Sequence, residues 1–290
     1  MNCRVLLADF LSHRMTLFRK RIPVSGIAPV CAALICLPLT ALCSDSAPDD
    51  DARRRDMYSY LKGRRLFQSQ CIPCHGKTGR GDGPWAAGLT DKPRNFRVGI
   101  FKFRTTPRGK LPTSDDLRRT IRSGIPGTAM PFFEKLTDAE VNALIVYIQN
   151  LSTRWNDKAN YGKPLHLPKK PAWFGNSEQI AAHSEAGRVR FSKICAACHG
   201  SKGRGDGPAA KGLRDVWGHL IVPADLTNEH HKSGDSAEDL YRTIATGLDG
   251  TPMVGFYQTL KEAEIWDLVA FIKHNEVAGQ RVEVKVGGKN

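Results

Sequence analysis

The stretch CIPCHGKTGRGDGP, residues 71–84, returns 124 residues later as CAACHGSKGRGDGP, residues 195–208. Two cysteines three apart, a histidine directly after them and a glycine-rich turn are therefore written twice into one chain of 290 residues. The correspondence continues outward on both sides. Gly63 and Gly187 each lie eight residues before their first cysteine, Phe67 and Phe191 each four before it, and Gly88-Leu89 answers Gly212-Leu213. Further on, DDLRRTIRSGIPGTAM (residues 115–130) answers EDLYRTIATGLDGTPM (residues 238–253) at a shift of 123. The chain is one unit repeated, and the repeat decides the architecture.

Each unit reads as a helix, the cysteine motif, a glycine-rich loop, a short helix, a loop and a last helix. Thr137 and Glu140 form a capping box, with Leu136 and Val141 as its hydrophobic staple. Val141, Leu144, Ile145, Ile148 and Leu151 then keep to one helical face, as do Ile265, Leu268, Val269 and Ile272 in the second unit. Strand-like alternation of useful length is absent, so the expected class is all-α. The expected boundaries are 56–153 for the first domain, a proline-rich linker at 154–176, 177–277 for the second domain and a tail at 278–290. A unit of about a hundred residues has a small core, which a large prosthetic group would help to fill.

Arg19, Lys20 and Arg21 precede an apolar run at 27–43, and small and acidic residues follow it. That order is expected of an export signal at residues 1–43, with translation starting at Met15 giving a leader of ordinary proportions. The expected location is periplasmic, soluble after cleavage or tethered to a membrane only through an uncleaved leader. Of eight cysteines, four lie in the leader, which leaves Cys71, Cys74, Cys195 and Cys198 and no spare pair for a structural disulfide. The leader holds five basic residues and one acid, so +10 of the +14 net charge belongs to the remainder.

A reactive dithiol needs a βαβ setting that is missing and gives His75 and His199 no task. Zinc would require two homologous units to pool their cysteines, and again leaves the histidines unused. A Walker A loop would need glycine where Cys71 stands, and Pro84 occupies the last glycine of a dinucleotide fingerprint. Covalent haem accounts for every residue: two thiols add to the vinyl groups, and the adjoining histidine sits beneath the iron. Beyond the leader the methionines are Met57, Met130 and Met253. Met130 and Met253 end equivalent Gly-x-x-Gly-Thr-x-Met phrases in both units, which marks them as distal iron ligands rather than core residues.

With these motifs in place, each unit resembles a class I c-type cytochrome, and the chain resembles a two-domain dihaem cytochrome c over residues 57–151 and 184–274. The resemblance implies a helical bundle around each of two haem c groups. It also implies a crossing of first and last helices at Gly63 and Phe67 against Tyr147, and at Gly187 and Phe191 against Phe271. It further implies a proline carbonyl that accepts the proximal histidine's N–H, for which Pro84 and Pro208 are the candidates.

Six-coordinate irons with His and Met ligands leave no open position, so the expected function is single-electron transfer between exported or membrane-bound partners, as a subunit of a respiratory or dehydrogenase complex. No catalytic residue is expected. The rival is a dihaem enzyme, a peroxidase or thiosulfate-type dehydrogenase, drawing an unusual ligand from NEHHKSG, residues 228–234. In residues 92–110, Arg94, Arg97, Lys102, Arg104, Arg108 and Lys110 occur with no acid, while the second unit is mixed there. An acidic redox protein or membrane complex is therefore expected to dock through this first-unit loop, and nucleic acid is not an expected partner.

Overall fold

The computed structural model describes residues 48–286, and side chains from residue 54 to residue 276 with the exception of residue 55. The expected export segment lies outside the described residues. All described residues belong to one compact unit. It contains α1 (Pro48–Gln70), α2 (Ile72–His75), α3 (Ser114–Ser123), α4 (Asp138–Asn150), α5 (Ser177–Ile194), α6 (Ala196–His199), α7 (Ala237–Thr246) and α8 (Glu262–Val286). Among the described residues there is no strand, only an isolated antiparallel bridge between Arg214 and Leu220. The all-α expectation holds, and the first four helices recur as the last four.

The first and last helices of each unit cross at a glycine, as expected. A Cβ on Gly63 would stand 1.9 Å from the Ala143 carbonyl oxygen, and one on Gly187 would stand 2.0 Å from that of Asp267. Only a bare α-carbon lets the two backbones approach so closely. Next to the crossing, the rings of Phe67 and Tyr147 lie 5.1 Å apart, and those of Phe191 and Phe271 lie 4.9 Å apart. Such tilted aromatic pairs add about 0.5–1.5 kcal/mol beyond their buried area. Each core is then closed by the amphipathic short helix, through Leu117 and Ile121 of α3 and through Leu240 and Ile244 of α7.

Among the described residues, α3, α4 and α7 begin with a full capping box: Thr113 with Asp116, Thr137 with Glu140, and Ser236 with Asp239. Val141 is buried in the first core and Leu136 packs against that core, as the staple requires. Residues 154–176 join α4 to α5 and pack on the first unit, where Arg154 donates to the Gly99 and Gly109 carbonyls, at 2.8 and 2.6 Å, and Leu165 N–H donates to Thr105 O at 2.8 Å. At the other end α8 continues to Val286.

Candidate functional site

Cys71 stands at the N-cap of α2, and His75 is its last residue, so Cys71, Cys74 and His75 share one helical turn. Cys195, Cys198 and His199 repeat this on α6. The turn is closed by His75 N–H to Cys71 O at 2.8 Å and by His199 N–H to Cys195 O at 2.9 Å. None of the four cysteines is joined to another in a disulfide. Burial, helped by the neighbouring thiol, pushes Cys71 and Cys195 up to about 12. A dithiol redox centre needs a thiol that ionises readily, and these are driven the opposite way. Among the described residues no three His, Cys, Asp or Glu side chains gather as metal ligands, so the cysteines do not pool into a zinc site.

His75 Nδ1 lies 3.2 Å from the Arg94 carbonyl oxygen, and His199 Nδ1 lies 3.1 Å from that of Ala224. A carbonyl can only accept, so Nδ1 carries the proton and Nε2 keeps its lone pair. Burial lowers the pKa of both rings against the opposing effect of these hydrogen bonds, and so favours the neutral form. Two free thiols and a neutral, oriented imidazole on one turn are the donor set that covalent haem requires, and they fit it at both positions.

The acceptors correct the expectation placed on Pro84 and Pro208. Both prolines are exposed in turns that fold the chain back onto the cysteine helices, with Trp85 N–H donating to Pro73 O and Ala209 N–H to Ala197 O. The carbonyls come from further along, just after Pro93 and Pro223. The glycine loop makes room for that later segment. At Gly81, φ is +77°, and a Cβ would stand 2.4 Å from Pro93 O; Gly205 repeats both values against Pro223 O. Phe96 N–H to Gly79 O and Leu226 N–H to Gly203 O, each 2.7 Å, fasten the segment down. Phe96 also stacks on His75 at 4.5 Å, where the second unit presents Leu226.

Met130 and Met253, both half-buried, end loops of one design. Ile125 N–H donates to Met130 O and Leu248 N–H to Met253 O, both at 3.1 Å. The amide of each methionine donates to a threonine hydroxyl, Thr128 at 3.1 Å and Thr251 at 3.2 Å.

The basic run at 92–110 is not the free docking patch expected of it. The Arg104 side chain is fully buried, pairs with Asp249 at 3.0 Å and donates to the carbonyls of Thr246 and Gly247. Arg108 donates to Met253 O and Thr251 O, both at 2.8 Å. The Arg94 guanidinium lies over the Trp217 ring at 4.2 Å. Three of the cations therefore bind the second unit, Arg104 and Arg108 by donating to carbonyls and a carboxylate there and Arg94 by stacking over a tryptophan ring. The histidines of residues 228–234 are also engaged. His231 pairs with buried Glu276 at 2.9 Å, and Asp235 bonds to His230 at 2.9 Å and holds its pKa above the usual value.

The family model for cytochrome c matches residues 60–152 and again 184–276. The chain belongs to the cytochrome c family. It is a dihaem electron-transfer cytochrome, and its tandem domains carry two covalently bound haem c groups. This cytochrome is 27% identical over 252 residues to the Cbb3-type cytochrome c oxidase subunit CcoP of Azospirillum brasilense, spanning 83% of this chain and 70% of that protein. A CcoP from Azospirillum sp. (strain B510) is 26% identical over 255 residues, spanning 83% and 71%. Among solved structures, a chain of the Kuenenia stuttgartiensis reducing HAO-like protein complex Kustc0457/Kustc0458 matches with a TM-score of 0.68 and 34% identity. That match covers 74% of this cytochrome and 95% of that chain.

Proposed function

We propose that this dihaem cytochrome is the electron-passing subunit of a larger exported complex, relaying single electrons from a donor protein to an acceptor protein and performing no chemistry on a small substrate. Haem, when bound, supplies the one-electron couple. The chain supplies everything else. Cys71 with Cys74 and Cys195 with Cys198 would hold the haems as thioethers, and His75 and His199 would each give the iron an imidazole nitrogen. Met130 and Met253 would supply the remaining ligands and leave no position for substrate. Thioether ligation favours the reduced state, whereas the carbonyls of Arg94 and Ala224 make their imidazoles more basic and favour the oxidised one.

The observation that carries this reading is the duplication of the whole donor set on matching loops, with His230 and His231, the rival ligands, held in pairs with carboxylates. Membership of a complex is supported by the relatives, since the Azospirillum proteins are oxidase subunits and the Kuenenia chain belongs to a protein complex. Export to the periplasm is supported by the order of charge and hydropathy in residues 1–43. Pyridine haemochrome quantification with intact mass should give two haems per chain and locate the mature N-terminus. The same sample should be wholly low-spin, bind no carbon monoxide when reduced and turn over no peroxide. A high-spin fraction with peroxide turnover would overturn the proposal.

A further inference from the structure

The two methionine loops share one hydrogen-bonding design, but they differ at a position where the first unit touches the second. Position 249, an aspartate, corresponds to Pro126, 123 residues earlier. Asp249 accepts from Arg104 at 3.0 Å and from the Gly109 amide at 2.9 Å. Arg104 also reaches Thr246 O and Gly247 O, while Arg108 spans Thr251 O and Met253 O with its two terminal nitrogens. Every acceptor of these two arginines in the second unit lies within residues 246–253, the segment that presents Met253. From its own unit the same segment is backed by Trp217, whose ring would meet a Cβ on Gly250 at 2.8 Å, and by Val216 N–H bonded to Gly250 O at 2.9 Å. The loop at 123–130 has no cross-unit donor of this kind among the described residues.

We infer that Arg108, supported by Arg104 and Asp249, is a positioning clamp by which the first haem unit holds the distal-ligand loop of the second. A methionine–iron bond opens more readily when its loop can move away, and a guanidinium bonded to two carbonyls of that loop, one of them the methionine's own, opposes the movement. The bond at the second iron is thus steadied by docking of the units, and the first iron has no such support. The inference rests on Met253 being the second iron's distal ligand, and the test separates the two claims.

The test uses the full-length ferric holoprotein, with imidazole as the probe ligand and the long-wavelength methionine-to-iron charge-transfer band as the second readout. Arg108→Ala should raise imidazole affinity at one haem by at least about fivefold, a coupling of ordinary size. It should weaken part of the band and leave the haem ligated by Met130 unchanged, as shown by additivity with Met130→Ala. Arg108→Lys, which keeps one donor, should fall between. Asp249→Asn, which removes the charge from the buried carboxylate, should act in the same direction at the same haem. If Met253→Ala opens one iron while Arg108→Ala and Asp249→Asn match the wild type in both readouts, the clamp is refuted. If Met253→Ala itself leaves both readouts unchanged, the ligand assignment falls and the clamp falls with it.

Discussion

At Gly81 one added methyl group would press on the Pro93 carbonyl, 2.4 Å away, and displace the backbone that offers Arg94 O to His75. Gly81→Ala should therefore cost about 1–3 kcal/mol through overpacking and raise the potential of the first haem, since an imidazole that loses its acceptor becomes a poorer donor. Pro84→Ala should leave that potential unchanged. Redox titration of the two variants checks both outcomes, and a shift in Pro84→Ala alone would restore the proline as acceptor. The cysteines and histidines of the site were legible because chemistry restricts them to a few side chains. The acceptors were not, because they are backbone carbonyls that any residue could supply. The repeat register also conceals them: Pro93 and Pro223 are 130 apart, whereas the cysteines are 124 apart.

Helix positions normally favour alanine over glycine by about 1 kcal/mol, but the crossing of α1 and α4 reverses the sign at Gly63. Gly63→Ala must separate two backbones that meet 1.9 Å from the new atom, so a loss of at least about 1–3 kcal/mol is expected in denaturant titration. This contact was legible in advance through the family resemblance, which implied a crossing at the glycine and aromatic residues that recur four apart in both units. Two of the three capping boxes were not, because Asp116 and Asp239 occupy the place where glutamate or glutamine is the usual signal. Burial of Asp116 is offset by the hydrogen bonds it also accepts from the Thr105 and Thr113 amides, each at 2.9 Å. Thr113→Ala should cost about 1 kcal/mol. At the head of α4, hydrogen bonds from Thr137 hold the Glu140 carboxyl below its usual pKa. Its contribution is present above the unfolded carboxylate value and disappears as pH falls through the lowered one. The stability difference between wild type and Glu140→Gln should shrink correspondingly over that acidic interval.

Three cations of the basic run at 92–110, Arg94, Arg104 and Arg108, are engaged between the two haem units. Around residues 92–110 the first unit has additional chain carrying Arg104 and Arg108, while around residues 213–222 the second has additional chain carrying Trp217. The repeat shift records this: 124 at the cysteines, 130 at Pro93 and Pro223, and 123 at the paired methionine phrases. The units thus diverge most where they meet, which a constant-shift comparison treats as noise and a charge count treats as a surface patch. Docking makes them thermodynamically dependent. The Arg104 side chain is 0% exposed and that of Asp249 7%, so removing Arg104 leaves the Asp249 carboxylate without its guanidinium partner and with little water to replace it. Arg104→Ala should cost about 3–5 kcal/mol, and replacing both partners with apolar residues should also destabilise, because the Thr246 and Gly247 carbonyls and the Gly109 amide lose their partners. Calorimetry of the holoprotein should show one unfolding transition in the wild type. In Arg104→Ala, with Asp249 uncompensated, undocking should precede unfolding and the transition should divide in two. A single transition at the wild-type midpoint in that variant would mean that each unit keeps its own stability and that the buried pair does not couple them.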